Sequence, residues 1–481
     1  MNEQVEPVGG DEMPLPIGVW QSGEALPAFD PRVLSAIEPE QKEVVQRAAD
    51  GAAEKFAVSD IDPNNLAEAG WGIIFAEKAD PSVREALRPL IEHRFSEVRN
   101  NDGLCRVFEG SKGYQPGDTV RSWLAKSNVG FSVVDPALGV PLYLTIVGPP
   151  TAIPFEFQYL LDTYWCVGRL HFDRVEDYRS YANNVIAYEK AQTLQQRRHV
   201  AIFAPKNPGD RATGLLHDLV ARPLVEGNAL VKPLGPRQKF GVKALLGQDA
   251  TKANLRDLLQ GKLDGGVPAL LFSGSHGLAV PCDAPDQIER QGAIVCQDWE
   301  GGPISAEMTY AAADVGTATA LGGLMHFFFA CYSGGCPVFD DYARDPQGKS
   351  VKIASAPFAA RLPQKLLLSG ALAVLAHIDR AWSYSFLGGR SAPQVQEFRD
   401  VMVRILNGER IGQATDQFNL RWAVLSGELL DTQRLHDLGP GNVSPAILAN
   451  RWVARNDARN YVVFGDPAVR LRVDALGQSS L

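Results

Sequence analysis

From Gly139 onward the chain alternates apolar runs of strand length with stretches whose apolar residues recur every three or four positions. Residues 139–148 form a nearly continuous apolar run closed by Gly148-Pro149-Pro150, which predicts a buried strand. After residues 165–172, the stretch 175–189 places apolar side chains on one stripe and charges opposite it, which predicts a helix. A strand over 199–205 follows. The turn from Asn207 to Asp210 is expected to cap a helix over 212–224, and Thr251 to cap another ending before Gly261. Strands are predicted again at 268–274 and 325–330, with a short strand near Ile294 and an alanine-rich helix over 307–313 between them. A helix over 363–369 stopped by Gly370, a strand over 371–378 and a last pair of strands either side of Gly465-Asp466-Pro467 complete the pattern. Such alternation predicts an α/β fold with a mostly parallel sheet and helices on both faces.

Residues 1–135 differ. A Pro/Gly-rich, acidic lead from Pro7 to Asp30 predicts extended, loosely attached chain, and helical spacing recurs over 40–56 and 81–97. This region offers no candidate chemistry. It reads as a packing or regulatory extension, with a pro-segment or partner-binding piece as the alternative.

Composition narrows the function classes. The 481 residues are 45% hydrophobic, enough for a sizeable core. The net charge of −9, with Lys and Arg scattered, provides no basic track, so neither nucleic acid nor a membrane is an expected partner. The first residues lack a basic stretch followed by an apolar one, and no run reaches membrane-spanning length, so a cytoplasmic location is expected. Six cysteines are spread without any Cys-x-x-Cys pair, which argues against a disulfide framework or zinc and leaves thiols available.

Two of the apolar runs end in small-residue turns that carry reactive groups: Ser275-His276-Gly277 and Ala330-Cys331-Tyr332-Ser333-Gly334-Gly335. In an open α/β sheet, chemistry sits beyond the carboxyl ends of the strands, so these two turns can share one crevice. Cys331 would be the nucleophile, its pKa lowered by a nearby imidazole and by a helix N-terminus after the strand. His276 would carry the proton. The backbone N–H of Gly277, with that of Cys331, would form the oxyanion hole, while Ser333 to Gly335 keep the space beside the thiol open. His326 lies an odd number of residues from Cys331 on the same strand and so points to the other face, as a packed residue. His377 reads as structural or as support for the site, and Cys336 as a loop thiol or redox partner.

In their order, several segments resemble a gingipain-type member of the caspase-like cysteine peptidases: Leu144 to Gly148 with Ile153-Pro154, Val167 to Leu170 ahead of a helix ending at Glu189, Ser275-His276-Gly277, Ala330-Cys331, and Val463 to Pro467. The resemblance covers about residues 139–473. It implies a smaller first α/β sub-domain over 136–195 and a caspase-like sub-domain over 196–481, after the N-terminal extension of 1–135. It also implies a His276/Cys331 dyad without an obligatory third member. A primary substrate pocket would have Trp382 as its aromatic wall. Glu156 or Asp379 would select basic side chains there, Asp379 being equally readable as a partner of Arg380 or Arg390. Calcium is a possible structural ion by the same analogy, although no concentrated Asp/Asn loop is evident.

The expected activity is therefore hydrolysis of peptide bonds in protein or peptide substrates at a restricted set of sites, without a required cofactor. Control would come from the N-terminal region, from cleavage within 278–324, or from a regulatory protein partner. The alternatives are a catalytically silent binding scaffold and a thiol-dependent transpeptidase or amidase using the same groups.

Overall fold

One ten-stranded sheet organises the computed structural model, which describes residues 14–30, 60–99, 101, 103–317, 319–387, 394–437 and 443–480. In chain order the strands of this sheet and of a smaller four-stranded one are β1 (Gly18–Trp20), β2 (Trp71–Phe75), β3 (Cys105–Phe108), β4 (Tyr143–Val147), β5 (Cys166–Leu170), β6 (His199–Ala204), β7 (Gly241–Leu246), β8 (Leu270–Gly274), β9 (Gly277–Ala279), β10 (Ile294–Val295), β11 (Thr309–Tyr310), β12 (Met325–Phe329), β13 (Ala373–His377) and β14 (Tyr461–Gly465); two further two-stranded pieces lie within 335–359. The helices used below are α1 (Pro81–Glu97), α2 (Phe155–Leu161), α3 (Val175–Lys190), α4 (Arg211–Leu216), α5 (Lys252–Leu259), α6 (Arg361–Leu368), α7 (Gln396–Leu406), α8 (Asp416–Asp437) and α9 (Pro445–Arg459). The expected helix over 40–56, residues 7–13 of the lead, and Arg390 lie outside the described residues.

The large sheet has the order β3-β2-β4-β5-β14-β13-β12-β8-β6-β7. Every neighbouring pair is parallel except β13 with β14, so two parallel halves run in opposite directions and meet at that antiparallel pair. Every residue of β4, β5, β6, β8, β12, β13 and β14 is buried. Both faces of the sheet are therefore covered, which is why these strands read as unbroken apolar runs. On one face Phe327 and Phe329 of β12 pack against Phe398 of α7, and Phe418 of α8 lies 5.7 Å from Phe327. The alternate residues His326 and Phe328 turn to the other face. A second, four-stranded sheet, β1-β9-β10-β11, caps the carboxyl edge of β8.

Local sequence sets the boundaries as expected in most places. Asp80 caps α1 with Pro81 in its first turn, Asp210 caps α4, Thr251 caps α5, and Gly370, at φ 101°, ends the α6 segment. Two expected elements are absent. Residues 307–313 are not a helix: short 3₁₀ turns at 306–308 and 312–314 flank β11, whose backbone is taken by β10, and Asp314 Oδ2 accepts the Ala311 N–H. No strand follows Pro467, because the Asp466 carboxylate captures the Ala468 N–H and the Tyr188 hydroxyl accepts the Arg472 N–H, which removes both from any ladder.

The expected division at residue 135 falls inside the sheet. β2 and β3, from the supposed extension, pair with each other and β2 pairs with β4 in full register. The expected sub-domain 196–481 is likewise interrupted, since its last strand, β14, pairs parallel to β5 of the first half. Buried Asp466, just after β14, ties this C-terminal strand to the N-terminal part of the chain by accepting hydrogen bonds from Trp71 Nε1 (3.0 Å) and Arg94 Nε (2.7 Å).

Candidate active site

The half-sheet β13-β12-β8-β6-β7 directs the carboxyl ends of its parallel strands to one edge. The β8/β12 register pairs Gly274 with Phe329, and His276 and Cys331 are each two residues beyond that pair. Asp210 follows β6 and residues 379–383 follow β13, so four consecutive strands deliver side chains to one crevice.

His276 is fully buried. Its Nε2 lies 3.0 Å from Asp210 Oδ2, its ring stands edge-on to Trp299 at 6.0 Å, and its Nδ1 is buried without a protein partner. The carboxylate holds the ring so that Nε2 carries the proton and Nδ1 is the open nitrogen. Asp210 does two jobs, because its Oδ1 accepts the Thr213 N–H at 2.7 Å as the α4 cap. Burial pushes its carboxyl up, but the hydrogen bond and charge of His276, with the bonds from Thr213, outweigh this and bring its pKa down to about 2. Sequence reasoning saw Asp210 only as a cap. The available signal was its place after the strand that neighbours β8.

Cys331 is a free thiol with no exposed surface. Its Sγ accepts a hydrogen bond from Ala381 N at 3.2 Å and lies 3.4 Å from Ala381 O. Burial pushes this thiol well up from its ordinary range, so the group is protonated. The expected helix after Cys331 is not there: residues 331–334 form a turn, with Tyr332 at φ 58°, that leads into a two-residue strand at 335–336. Nor do the small residues leave open space. Ser333 Oγ bonds Phe328 O and His377 N, and a side chain at Gly335 would fall 2.5 Å from Phe358 O. Among the described residues no hydrogen bond joins His276 to Cys331.

The space over the thiol is filled by the chain's own N-terminal segment. Leu15 to Ile17 run antiparallel to Ala381–Ser383: Ser383 N donates to Leu15 O (2.9 Å), Leu15 N to Ser383 Oγ (3.1 Å), and Ile17 N to Ala381 O (2.7 Å). The Ile17 carbonyl then accepts from both Cys331 N (2.9 Å) and Gly277 N (3.2 Å). These are the two donors expected to form an oxyanion hole, and they converge on one oxygen. From Gly18, β1 pairs parallel with β9, and a bridge between Val19 and Ala25 turns the segment back. Gly18 is required by closeness, since a Cβ there would lie 2.7 Å from Cys331 Sγ and 2.6 Å from Leu26. Ile17 and Val19 are wholly buried, so residues 14–30 are docked rather than loosely attached.

The other expected residues divide. Trp382 bridges Pro16 through its backbone, while its ring is buried with Phe29, Tyr342 and Trp452. Asp379, at φ 65°, sits beside the Cys331 turn and accepts the Tyr332 N–H through its carbonyl. Its Oδ1 accepts Arg380 N and its buried Oδ2 has no hydrogen-bond partner. Burial, then Asp340 and Asp341, push this carboxyl well up. Glu156 is exposed in the first turn of α2, away from the other candidates' burial. His326 bonds Ser273 Oγ at 2.7 Å, and burial takes its pKa down to about 3, as fits a packed residue. His377 and Trp382 N both bond Asp457, which anchors the strip that Leu15–Ile17 lie against. Cys336 is a buried strand thiol rather than a loop thiol.

Among the described residues, His93, Glu97 and Glu189 form a group close enough to hold a metal ion. Arg94 already bonds both oxygens of Glu189 at 2.8 and 2.9 Å, so a guanidinium supplies the positive charge there and the group does not fit a calcium ion.

This chain is a cysteine endopeptidase. It belongs to peptidase family C25, the gingipain family, whose model matches residues 126–472. No curated protein matches the sequence. Solved structures that resemble it include a complex of the pro- and mature domains of Porphyromonas gingivalis RgpB, at 13% identity and TM-score 0.42 over 84% of this chain and 80% of that one. Another, described only as a protease, aligns at 11% identity and TM-score 0.48 over 85% and 79%. The Saccharomyces cerevisiae separase–securin complex aligns at 11% identity and TM-score 0.30 over 71% and 16%.

Proposed function

We propose that Cys331 and His276 form the peptidase dyad, that Asp210 positions the imidazole, and that residues 14–30 hold the enzyme latent. The observation that carries this reading is the Ile17 carbonyl between Cys331 N and Gly277 N, the place a scissile carbonyl must take. Once the segment leaves, a substrate enters the same strip. The Cys331 proton passes to His276 Nδ1 and the sulfur attacks the carbonyl carbon. The two backbone N–H groups meet the charge on oxygen, and the C–N bond breaks as His276 returns the proton to the leaving amine. Water then attacks the thioester, giving a proton to His276 and releasing the acid, and the sulfur recovers its hydrogen. The reaction draws on side chains and backbone alone and needs no cofactor.

A peptidase held shut by its own chain suits regulated cutting in the cytoplasm, where a protein partner or a second cleavage would release the segment. The expectation of a basic residue before the cut has Asp379, with its unpartnered oxygen, as its support; exposed Glu156 lends it little.

The test is mass-spectrometric reading of a diverse peptide library after incubation with wild type, Gly18→Val, and Gly18→Val combined with Cys331→Ala. Gly18→Val pushes the segment off the thiol, so cutting should rise over wild type and vanish in the double variant. Cutting that survives loss of Cys331 would refute the assignment. A Gly18→Val protein whose Cys331 reacts with iodoacetamide yet cuts nothing would point to a scaffold, and ligated rather than hydrolysed products to a transpeptidase.

A further inference from the structure

The docked segment also carries information about substrates. An acyl-transfer site is defined by where the carbonyl oxygen sits, and the residue bearing that carbonyl places its side chain in the primary pocket. Here that residue is Ile17. Its N–H bonds Ala381 O, its carbonyl lies between Cys331 N and Gly277 N, and two residues before it Leu15 exchanges bonds with Ser383. The main chain is thus in the register that a bound peptide would need, with three directional contacts to one strip and two donors on one oxygen. The Ile17 side chain has 0% exposure, and buried Pro16 bridges Trp382. Neither side chain brings a polar atom to be satisfied, which matches burial without water.

We infer that the pocket beside Cys331 takes a branched aliphatic side chain, and that the substrates are peptides cut after isoleucine, valine or leucine in extended segments resembling Leu15-Pro16-Ile17. This deepens the peptidase reading and rests on it. The ionic groups of the strip that Ile17 lies against support an uncharged occupant. Arg380 is buried against Asp340 and Pro27 O, so a second cation beside it would face like charge. Asp379 supplies the competing possibility, because a basic side chain that reached its buried Oδ2 would find a partner.

Ile17→Arg in the full chain separates the two. If the pocket is aliphatic, arginine cannot be buried there, the segment lifts, and Cys331 is alkylated by iodoacetamide about tenfold faster than in wild type, with half-buried Cys282 as internal reference; Ile17→Val stays within about twofold. Labelling of Ile17→Arg equal to or slower than wild type would overturn the inference in favour of a pocket for cations. Should Ile17→Arg fail to fold, Ile17→Ala loosens the segment while keeping its backbone. Acyloxymethyl ketones carrying Leu-Pro-Ile should then modify Cys331 about tenfold faster than those carrying Leu-Pro-Arg. Equal or reversed rates, or modification by neither while iodoacetamide still reacts, would overturn it. Modification by the Leu-Pro-Ile probe with no peptide of any sequence hydrolysed would remove the peptidase reading and leave the pocket preference standing.

Discussion

Asp210 Oδ2 holds His276 Nε2 at 3.0 Å, leaving Nδ1 as the ring nitrogen without a hydrogen-bond partner. A carboxylate in this place orients the imidazole and stabilises its charged form without touching a substrate. It is a positioning residue supplied by a helix cap.

Asp210→Asn keeps the cap, because asparagine is as good at that position. Placed in the Gly18→Val background it should lower kcat by about 10²-fold while changing KM little, since only proton transfer is disturbed. Stability provides a second readout. The Asp210 pKa is brought down to about 2 from its ordinary 3.8, so its contribution is fully present above about pH 4 and is lost as pH falls toward 2. Urea midpoints should favour the native residue over asparagine by about 2 kcal/mol at pH 6, and this advantage should shrink through pH 4 to 3. A pH-independent difference would refute the ionic link.

Gly277 was expected to leave room for a substrate carbonyl. The geometry assigns it a second reason: a Cβ there would lie 1.8 Å from Cys331 O, so the His276 and Cys331 turns touch backbone to backbone. Gly277→Ala should cost roughly 2–4 kcal/mol, read as a drop in thermal midpoint and in soluble yield. Gly214 in α4 meets nothing within 4 Å, and Gly214→Ala should stabilise by about 0.5–1 kcal/mol. Similar effects at the two sites would contradict this account.

Asp466 is fully buried and accepts from Trp71 Nε1, Arg94 Nε and Ala468 N. Asp466→Ala would leave Arg94, also fully buried, to Glu189 and Glu97 alone. The expected cost is about 3–5 kcal/mol, measured by chemical denaturation. A loss below about 1 kcal/mol would mean that the placing of β14 beside the N-terminal strands does not depend on this link.

Much of the candidate site was legible because strand-length apolar runs ended in small-residue turns. Ser275-His276-Gly277 and Ala330-Cys331 needed only the parity of β12 to exclude His326, and its bond to Ser273 agrees with that exclusion. The same reading failed where local pattern competed with distant partners. Alanines at 311–313 suggested a helix, yet strand pairing at 309–310 and the Asp314 bond to Ala311 N prevailed. The lead from Pro7 to Asp30 carries no periodicity, and in its described part, residues 14–30, much of the backbone pairs with residues 277–279 and 381–383, hundreds of positions away.

By itself, then, the sequence determined most strands from β4 to β14, the caps at Thr251 and Asp210, and the candidate thiol and imidazole, but not α7, α8 and α9. Each of these depends on neighbours within a few residues, through periodicity, capping or turn chemistry. Only the tertiary structure decided that β2, β3 and β14 belong to one sheet, that Asp210 faces His276, and that the Ile17 carbonyl accepts from both Cys331 N and Gly277 N. Those relationships are pairings of backbone and charge between segments far apart in the chain, and a linear pattern carries no record of which distant group will satisfy them.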